Sequence, residues 1–377
     1  MHIGITVSFK HSVFSSGASH TSLALAELFS YLGDRCTLIN LSDEPWWNDV
    51  QSLKGNWPCI QEKDVVAGQF DRILEVSLCP SLRRLAPCIW VVRKTPLFLD
   101  MEACVVPYPL EKRDLEGIAE SWVQEELATP DDIQYLELIT RKPVRKLPFL
   151  WSAIAIEAYR KETKPPIWQQ TAKPGPFTVH VCETNTSSSS SCLIPLCIYR
   201  EGLSSHELKI HNADALKESE YFRKNLWDNL TGDLPLSDTC FVGRQRIVDL
   251  PAQSNVLILA HSRFTTLRPY HLDALWCGIP LVHNASLLNC LGADVERGYY
   301  PNNDISAGCQ AAQRVMADWI TQEGLFTLRK AILHRFGILS PSQTRWKDAL
   351  AEPLAVPVPV PVPQTQPLRL RIGFSDM

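Results

Sequence analysis

The sequence lacks most of the features that assign a function at sight. It has no run of about 20 apolar residues, so no segment reads as a membrane-spanning helix. The first residues, MHIGITVSFKHS, carry too short an apolar run and no basic start for a signal peptide. The expectation is a cytoplasmic protein whose membrane contact, if it has any, is peripheral. Its 12 cysteines form no C-x-x-C pair and no Cys/His cluster of zinc-finger spacing, and no Asp-x-Asp motif is present, so no metal site is expected. Cys88, Cys192, Cys197 and Cys277 stand in apolar surroundings, as buried free thiols do, which points to a reducing compartment. There is no Walker A loop, no G-x-S-x-G elbow and no H-E-x-x-H helix. A strong basic excess is also missing: 37 Lys and Arg against 41 Asp and Glu give a net charge of −4. That balance argues against a nucleic-acid partner held on a broad basic surface, while leaving room for a local phosphate pocket.

What is present is an alternation of short apolar strands and amphipathic helices over 377 residues, enough for two domains and a tail. The pattern predicts a strand over Ile3–Phe9, a small-residue loop, and a helix in SLALAELFSYLG with Thr21 or Ser22 as N-cap and Gly33 as its stop. Strands follow at residues 36–41, Arg72–Ser77 and Cys88–Lys94, with a weaker one at Ala103–Val106. A helix over 131–140 and a strand from Val144 complete the first series. This reads as an N-terminal Rossmann-like domain over 1–150. The polar, proline-rich stretch 151–175 reads as a linker.

A second series then runs over 176–352. FTVHVCE is a strand, the TNTSSSSS turn leads into a helix with Pro195 in its first turn, and HELKIHN is the next strand. ADALKESEYFRKNLWDNL reads as one helix and CFVGR as a strand. VLILAH, the helix of HLDALWCG, the strand IPLVHN and one or two long helices follow. The tail, 353–377, alternates Val and Pro from Val356 to Pro363. It favours polyproline II, as an extension or as a docking segment. The fold class is therefore α/β: two Rossmann-like domains facing each other across a cleft, with a proline-rich C-terminal tail.

Several segments carry candidate chemistry. The turn Glu183 to Ser191, with Asn185, Ser187, Ser188 and Ser190, links a strand to a helix N-terminus, where free N–H groups and hydroxyls suit a phosphate. Arg244, after the CFV strand, and Arg268, before the HLDALWCG helix, could pair with a diphosphate. His261 ends VLILAH and Asn284 ends IPLVHN, both at strand carboxyl ends where α/β sheets bind ligands. In the first half the loop from His11 to His20, with Ser16 and Gly17, should face an acceptor. His11, His20 and the strand-end Glu75 are the candidate general bases for an inverting transfer. The pair Trp46–Trp47 could stack on a sugar, but core packing is the better reading.

The segment LDALWCGIPLVHN resembles that of GT-B glycosyltransferases, which carry an acidic-Ala-x-x-x-Gly-x-Pro motif here. Asp273, Ala274, Gly278 and Pro280 match it. A resemblance over most of the chain is to a GT-B-like family catalogued as a domain of unknown function. Residues 2–33, CETNTSSSSSCLIPL and LDALWCGIPLVHN carry it. The resemblance implies that Asp273 bonds the ribose of a nucleotide, and that a nucleoside-diphosphate sugar is the donor. It implies no cofactor and no metal, because helix dipoles and basic side chains meet the diphosphate. Two positions depart from the pattern: Thr265 stands where many retaining GT-B enzymes have a second Glu, and Ser190 stands where the family's turn has Lys. The function expected is transfer of a sugar to an acceptor hydroxyl. A nucleotide-sugar epimerase and a non-catalytic nucleotide or carbohydrate binder, or scaffold, are the alternatives on the same fold.

Overall fold

The structure is a computed structural model, and it describes residues 1–92, 96–105, 114–163, 175–185, 189–232, 234, 238–253 and 255–354. Most of the expected linker, the Val-Pro tail, Ser187 and Ser188 lie outside these residues.

The first half opens with β1 (His2–Val7), α1 (Gly17–Tyr31), β2 (Arg35–Asn40), β3 (Cys59–Gln61), β4 (Arg72–Glu75) and β5 (Cys88–Val92). It continues with α2 (Pro96–Val105), β6 (Ile118–Gln124), α3 (Pro130–Thr140), β7 (Val144–Leu147) and α4 (Ile154–Thr163). The seven strands form one sheet in the order β3-β2-β1-β4-β5-β6-β7, with every pairing parallel. Central strands of such a sheet are covered on both faces, so β1 and β2 are buried almost throughout. Gly4 has a steric role: a Cβ there would stand 2.7 Å from Ile39 Cδ1 of β2. Helix α1 begins five residues earlier than the expected caps, because Ser16 accepts from the Ser19 N–H and acts as N-cap. Gly33, at φ +89, ends it as expected. Residues Ala103–Cys104, read as part of a weak strand, belong to α2 instead.

The second half runs β8 (Thr178–Val181), α5 (Leu193–Gly202), β9 (Glu207–Ile210), α6 (Asp214–Glu218), α7 (Asp228–Thr231), β10 (Val256–Leu259), α8 (Pro269–Trp276) and β11 (Leu281–Val282). Helices α9 (Ala293–Glu296), α10 (Ile305–Ala317), α11 (Gln322–Phe336) and α12 (Thr344–Ala351) follow. Its sheet has the order β11-β10-β8-β9, again all parallel. The helix expected over Ala213–Leu230 is broken at Ser219 and runs through a π turn over Phe222–Trp227. The CFV strand is reduced to a single bridge between Phe241 and Ile210.

The chain ends where it began. Helix α12 returns to the first sheet beside β7. Trp346 is fully buried, packs edge-on against Trp122 of β6 at 5.8 Å and donates to the Pro148 carbonyl at 3.1 Å. Gln343 donates to the Phe149 carbonyl at 3.0 Å, and Trp151 N–H to the Phe336 carbonyl at 2.9 Å. One continuous apolar core therefore joins the halves. All 12 cysteines are free thiols; Cys88, Cys192 and Cys277 are buried as expected, Cys197 is half-buried, and Cys59, Cys104 and Cys290 are exposed. No helix among the described residues is long and apolar enough to cross a membrane.

Because Trp346 ties the end of the second half to the core of the first, Trp346→Ala should destabilise the whole protein. About 3–5 kcal/mol is expected from the cavity and the lost indole bond, read as a lower midpoint in urea unfolding. A shift of less than about 1 kcal/mol would show that α12 contributes little to the fold.

Candidate functional site

The turn after β8 is built around one carboxylate. Glu183 is fully buried and accepts three hydrogen bonds. They come from the His261 backbone N–H at 3.0 Å, the Tyr270 hydroxyl at 2.6 Å and the Ser190 hydroxyl at 2.7 Å. Burial and the neighbouring Glu183 charge push the Tyr270 hydroxyl well above its ordinary pKa, so it stays a donor. Asn185 sits at φ +53, donates to the His211 carbonyl at 2.9 Å and accepts from the Cys192 N–H at 2.9 Å, which closes the turn onto the start of α5. Ser190 also accepts from the Thr184 N–H at 2.9 Å. Glu183, Asn185 and Ser190 were expected to contact a ligand, but their polar atoms are spent on the turn itself. They shape the cradle. Asn284 is corrected in the same way: its amide accepts from Ser262 N–H and donates to Ser262 O, both at 2.8 Å, stapling the β10 and β11 loops.

The cations stand around this turn. Arg268 donates to the Ser189 carbonyl and, at 3.2 Å, to the Ser262 hydroxyl. Arg263, which the sequence reading missed, donates its backbone N–H to the same Ser189 carbonyl at 3.3 Å and lays its guanidinium over Phe264 at 5.0 Å. Arg244 is exposed and follows Gly243, whose carbonyl faces His211 at 3.4 Å. Among the described residues none of these three guanidinium groups has a carboxylate partner. His261, buried beside Arg263 and Arg268, has its pKa lowered to about 4, first by burial and then by those two charges.

Asp273 lies one turn along α8 from Tyr270. It is buried, and its Oδ1 accepts from the Trp151 indole at 2.9 Å. Burial raises its pKa, and the His20 charge and the Trp151 bond partly offset that. Two sequence candidates from opposite halves, His20 on α1 and Asp273 on α8, thus share one electrostatic neighbourhood. His20 also packs edge-on against Phe14 at 5.8 Å, and Phe14 against Tyr159 at 5.4 Å. His11 is exposed. Ser16 uses its hydroxyl as the α1 cap, and Gly17 is the first helical residue. Gly17, expected in the loop, thus lies in the helix, with no positive φ.

Glu75 is withdrawn as a base. It is fully buried, Arg83 grips both its oxygens at 2.9 Å, and the Cys79 N–H donates to it at 2.9 Å. Trp46 and Trp47 are core residues packed on Phe9. Phe264, also missed, has φ +62 and stacks on Phe98 of α2 at 4.1 Å, bridging the halves. No group of three or more metal-ligating side chains occurs among the described residues. A groove of about 430 Å³ lined by Leu291–Val295 and Thr321–Leu328 contains none of the residues above.

A family model described as "Protein of unknown function (DUF2827)" matches residues 119–346. The chain belongs to this family. Curated proteins gave no match. Among solved structures, this DUF2827 protein is similar to a sucrose-phosphate synthase from Thermosynechococcus elongatus. The identity is 16% and the TM-score 0.53, with 93% of this chain and 100% of that one covered. It is also similar to an alpha-glucosyltransferase in complex with UDP and a 13-mer DNA, at 12% identity and TM-score 0.58, covering 93% and 100%. A DNA-modifying beta-glucosyltransferase aligns at 12% identity and TM-score 0.51, covering 93% and 99%. These likenesses establish the GT-B fold: two Rossmann-like halves facing across a cleft.

Two outcomes follow. Glu75→Gln should leave the buried Arg83 with only the half-exposed Asp114 carboxylate, at 3.5 Å, and cost about 3–5 kcal/mol, while the folded fraction binds nucleotides as the parent does. Weakened nucleotide binding by a stable variant would return Glu75 to the site. Separately, burial lowers His180 to about 3 and His283, like His261, to about 4. The unfolded chain takes up protons near ~6.5 that the folded one refuses, so stability is complete above that pH and falls below it. The slope is about 1.4 kcal/mol per pH unit for each such histidine. Glu27, Glu126 and Asp273, raised by burial, act in the opposite sense near the carboxylate range. Melting temperature should therefore drop between pH 7 and pH 5; a flat profile would contradict the neutral assignments.

Proposed function

We propose that this protein transfers a glycosyl group from a nucleoside-diphosphate sugar to an acceptor hydroxyl. The observation that carries the reading is the set of guanidinium groups without carboxylate partners. The Arg268 guanidinium and the Arg263 backbone N–H meet on the Ser189 carbonyl, and Arg244 follows Gly243, whose carbonyl lies 3.4 Å from His211, itself bonded to Asn185 of the same turn. Positive charge left unpaired at the carboxyl end of a parallel sheet, beside a turn entering a helix, suits an anion of at least two charges. The GT-B fold, with the UDP held by the alpha-glucosyltransferase and the uridine diphosphoglucose substrate of the beta-glucosyltransferase, makes a nucleoside diphosphate the natural candidate. The guanidinium groups meet its charge, so the reaction needs no divalent ion and no further cofactor.

The second half, over residues 176–352, is assigned to the donor, and the first, over 1–150, to the acceptor. In the transfer the acceptor oxygen bonds to the anomeric carbon as the bond from that carbon to the phosphate oxygen breaks. The nucleoside diphosphate leaves with the bonding pair. The acceptor proton goes to His20, which is favoured over the exposed His11 because it shares an electrostatic neighbourhood with Asp273 across the halves. Asp273 Oδ1 is taken by Trp151, so the oxygen left for a ribose hydroxyl, or for His20, is Oδ2.

Arg268→Ala should weaken UDP binding about 10- to 100-fold, the range for a bond to a charged group, in isothermal titration. His20→Ala should keep UDP affinity within about twofold and slow UDP release from UDP-glucose by about 100-fold or more. EDTA should leave both unchanged. Binding of UDP with no turnover under any acceptor screen would favour the non-catalytic reading, and conversion of UDP-glucose to an epimer would favour the epimerase.

A further inference from the structure

Two buried polar atoms without hydrogen-bond partners among the described residues lie on the loop that carries the arginines: His261 Nε2 and Thr265 Oγ1. Such atoms are rare in native proteins, and each costs about 1–3 kcal/mol when left unmet. The His261 ring is fixed on its other sides. Its backbone N–H donates to Glu183 at 3.0 Å. Its Nδ1 lies 2.9 Å from the Tyr300 hydroxyl, and that hydroxyl spends its proton on the Ala260 carbonyl at 2.9 Å. The tyrosine oxygen can then only accept, so Nδ1 carries the imidazole hydrogen and Nε2 is a bare lone pair. Its polar neighbour is the exposed Asn303, whose side chain interacts with the ring and raises its pKa without meeting Nε2 in a well-formed hydrogen bond.

A neutral acceptor between two cations selects a particular chemistry. A phosphate oxygen brings only lone pairs and cannot satisfy Nε2. A hydroxyl can, and the flanking Arg263 and Arg268 favour one attached close to an anion. We infer that His261 is a specificity-determining residue, which accepts a hydrogen bond at Nε2 from a hydroxyl of the bound nucleotide sugar and displaces the Asn303 side chain. The inference rests on the nucleotide-sugar reading above. A hydroxyl of the transferred sugar and one of the ribose share this chemistry. Thr265 Oγ1, four residues on, is the second unmet atom of the same loop.

The test is isothermal titration of the full chain with UDP-glucose, its 2-, 3-, 4- and 6-deoxy forms, and 2′- and 3′-deoxy-UDP. For the parent protein, removing one hydroxyl should weaken binding about tenfold. His261→Leu should bind all the ligands alike, with less than a twofold penalty for the same deletion. Tyr300→Phe keeps the core volume but frees the tautomer, and should reduce the discrimination at that hydroxyl alone. Whether the sensitive position is on the sugar or the ribose decides the source. Because the ring stays neutral, the discrimination should be flat from pH 6.5 to pH 8.5. Equal penalties in the parent and His261→Leu would overturn the inference while leaving the donor reading standing. If His261→Leu fails to fold, unchanged discrimination in Tyr300→Phe overturns it. Failure of UDP and UDP-glucose to bind the parent would overturn the donor reading and this inference with it.

Discussion

The buried carboxylate of Glu183 is the constraint on which the second half of the molecule depends. A charge taken fully out of water is tolerated only when every lone pair that matters is met. Here the partners come from three places: Ser190 on its own turn, the His261 backbone at the end of β10, and Tyr270 on α8. One side chain thereby fixes the relative positions of the turn, the strand end and the helix. The positions of Arg263, Arg268 and Asp273 follow, since all three belong to the segments so tied. Removing any one partner would leave a buried charge short of a bond, which is a stronger restraint than apolar packing of the same area.

The same arrangement accounts for the division of labour among polar groups. Residues that a sequence reader would pick as ligands, Glu183, Asn185, Ser190 and Asn284, have their donors and acceptors committed within the protein. Their work is to hold a shape. The groups left over, three guanidinium groups and the Nε2 of His261, differ in charge and hydrogen-bonding sense from those committed ones. A site so composed offers cations for an anion and a neutral acceptor for a hydroxyl, while the Glu183 carboxylate at its centre is met by three donors.

How far the sequence could be read depended on whether a feature was local. Gly33 and Gly278 stop their helices at positive φ as their neighbours imply, and Pro280 precedes β11, because helix termination is decided within a few residues. Strand β6 escaped notice because Glu120 and Ser121 interrupt its apolar run; Glu120 is buried only because Arg145 of β7, 25 residues away, meets it at 2.7 Å. Strand β3, at three residues, is too short for any periodicity to register. The helix over Ala213–Leu230 looked continuous because its propensities are, and the structure breaks it at Ser219. Site residues followed the same rule. Asp273 was visible from its motif, but Trp151, which occupies one of its oxygens, lies 122 residues away. Glu75 looked like a strand-end base only while Arg83 was out of view.

The cleft between the halves is where these local devices become one mechanism. The segment from Ser262 to Arg268 touches both sides: Arg268 holds Ser189 of the second half, Thr266 donates to the Glu126 carbonyl of the first at 2.5 Å, and Phe264 stacks on Phe98. Phe264 does so in the left-handed region, a conformation that costs a non-glycine residue about 1–3 kcal/mol and persists only where its surroundings over-determine it. At the other end of the junction, Trp151 joins α8 through Asp273, and Ser152 joins α1 through Glu27. A relative movement of the two halves must therefore act on Arg268 through the loop and on Asp273 through Trp151 together. It must also change the separation of Asp273 from His20, which belongs to the opposite half. The cations that would hold a donor and the pair that would accept a proton are thus set by one degree of freedom, the opening of the cleft.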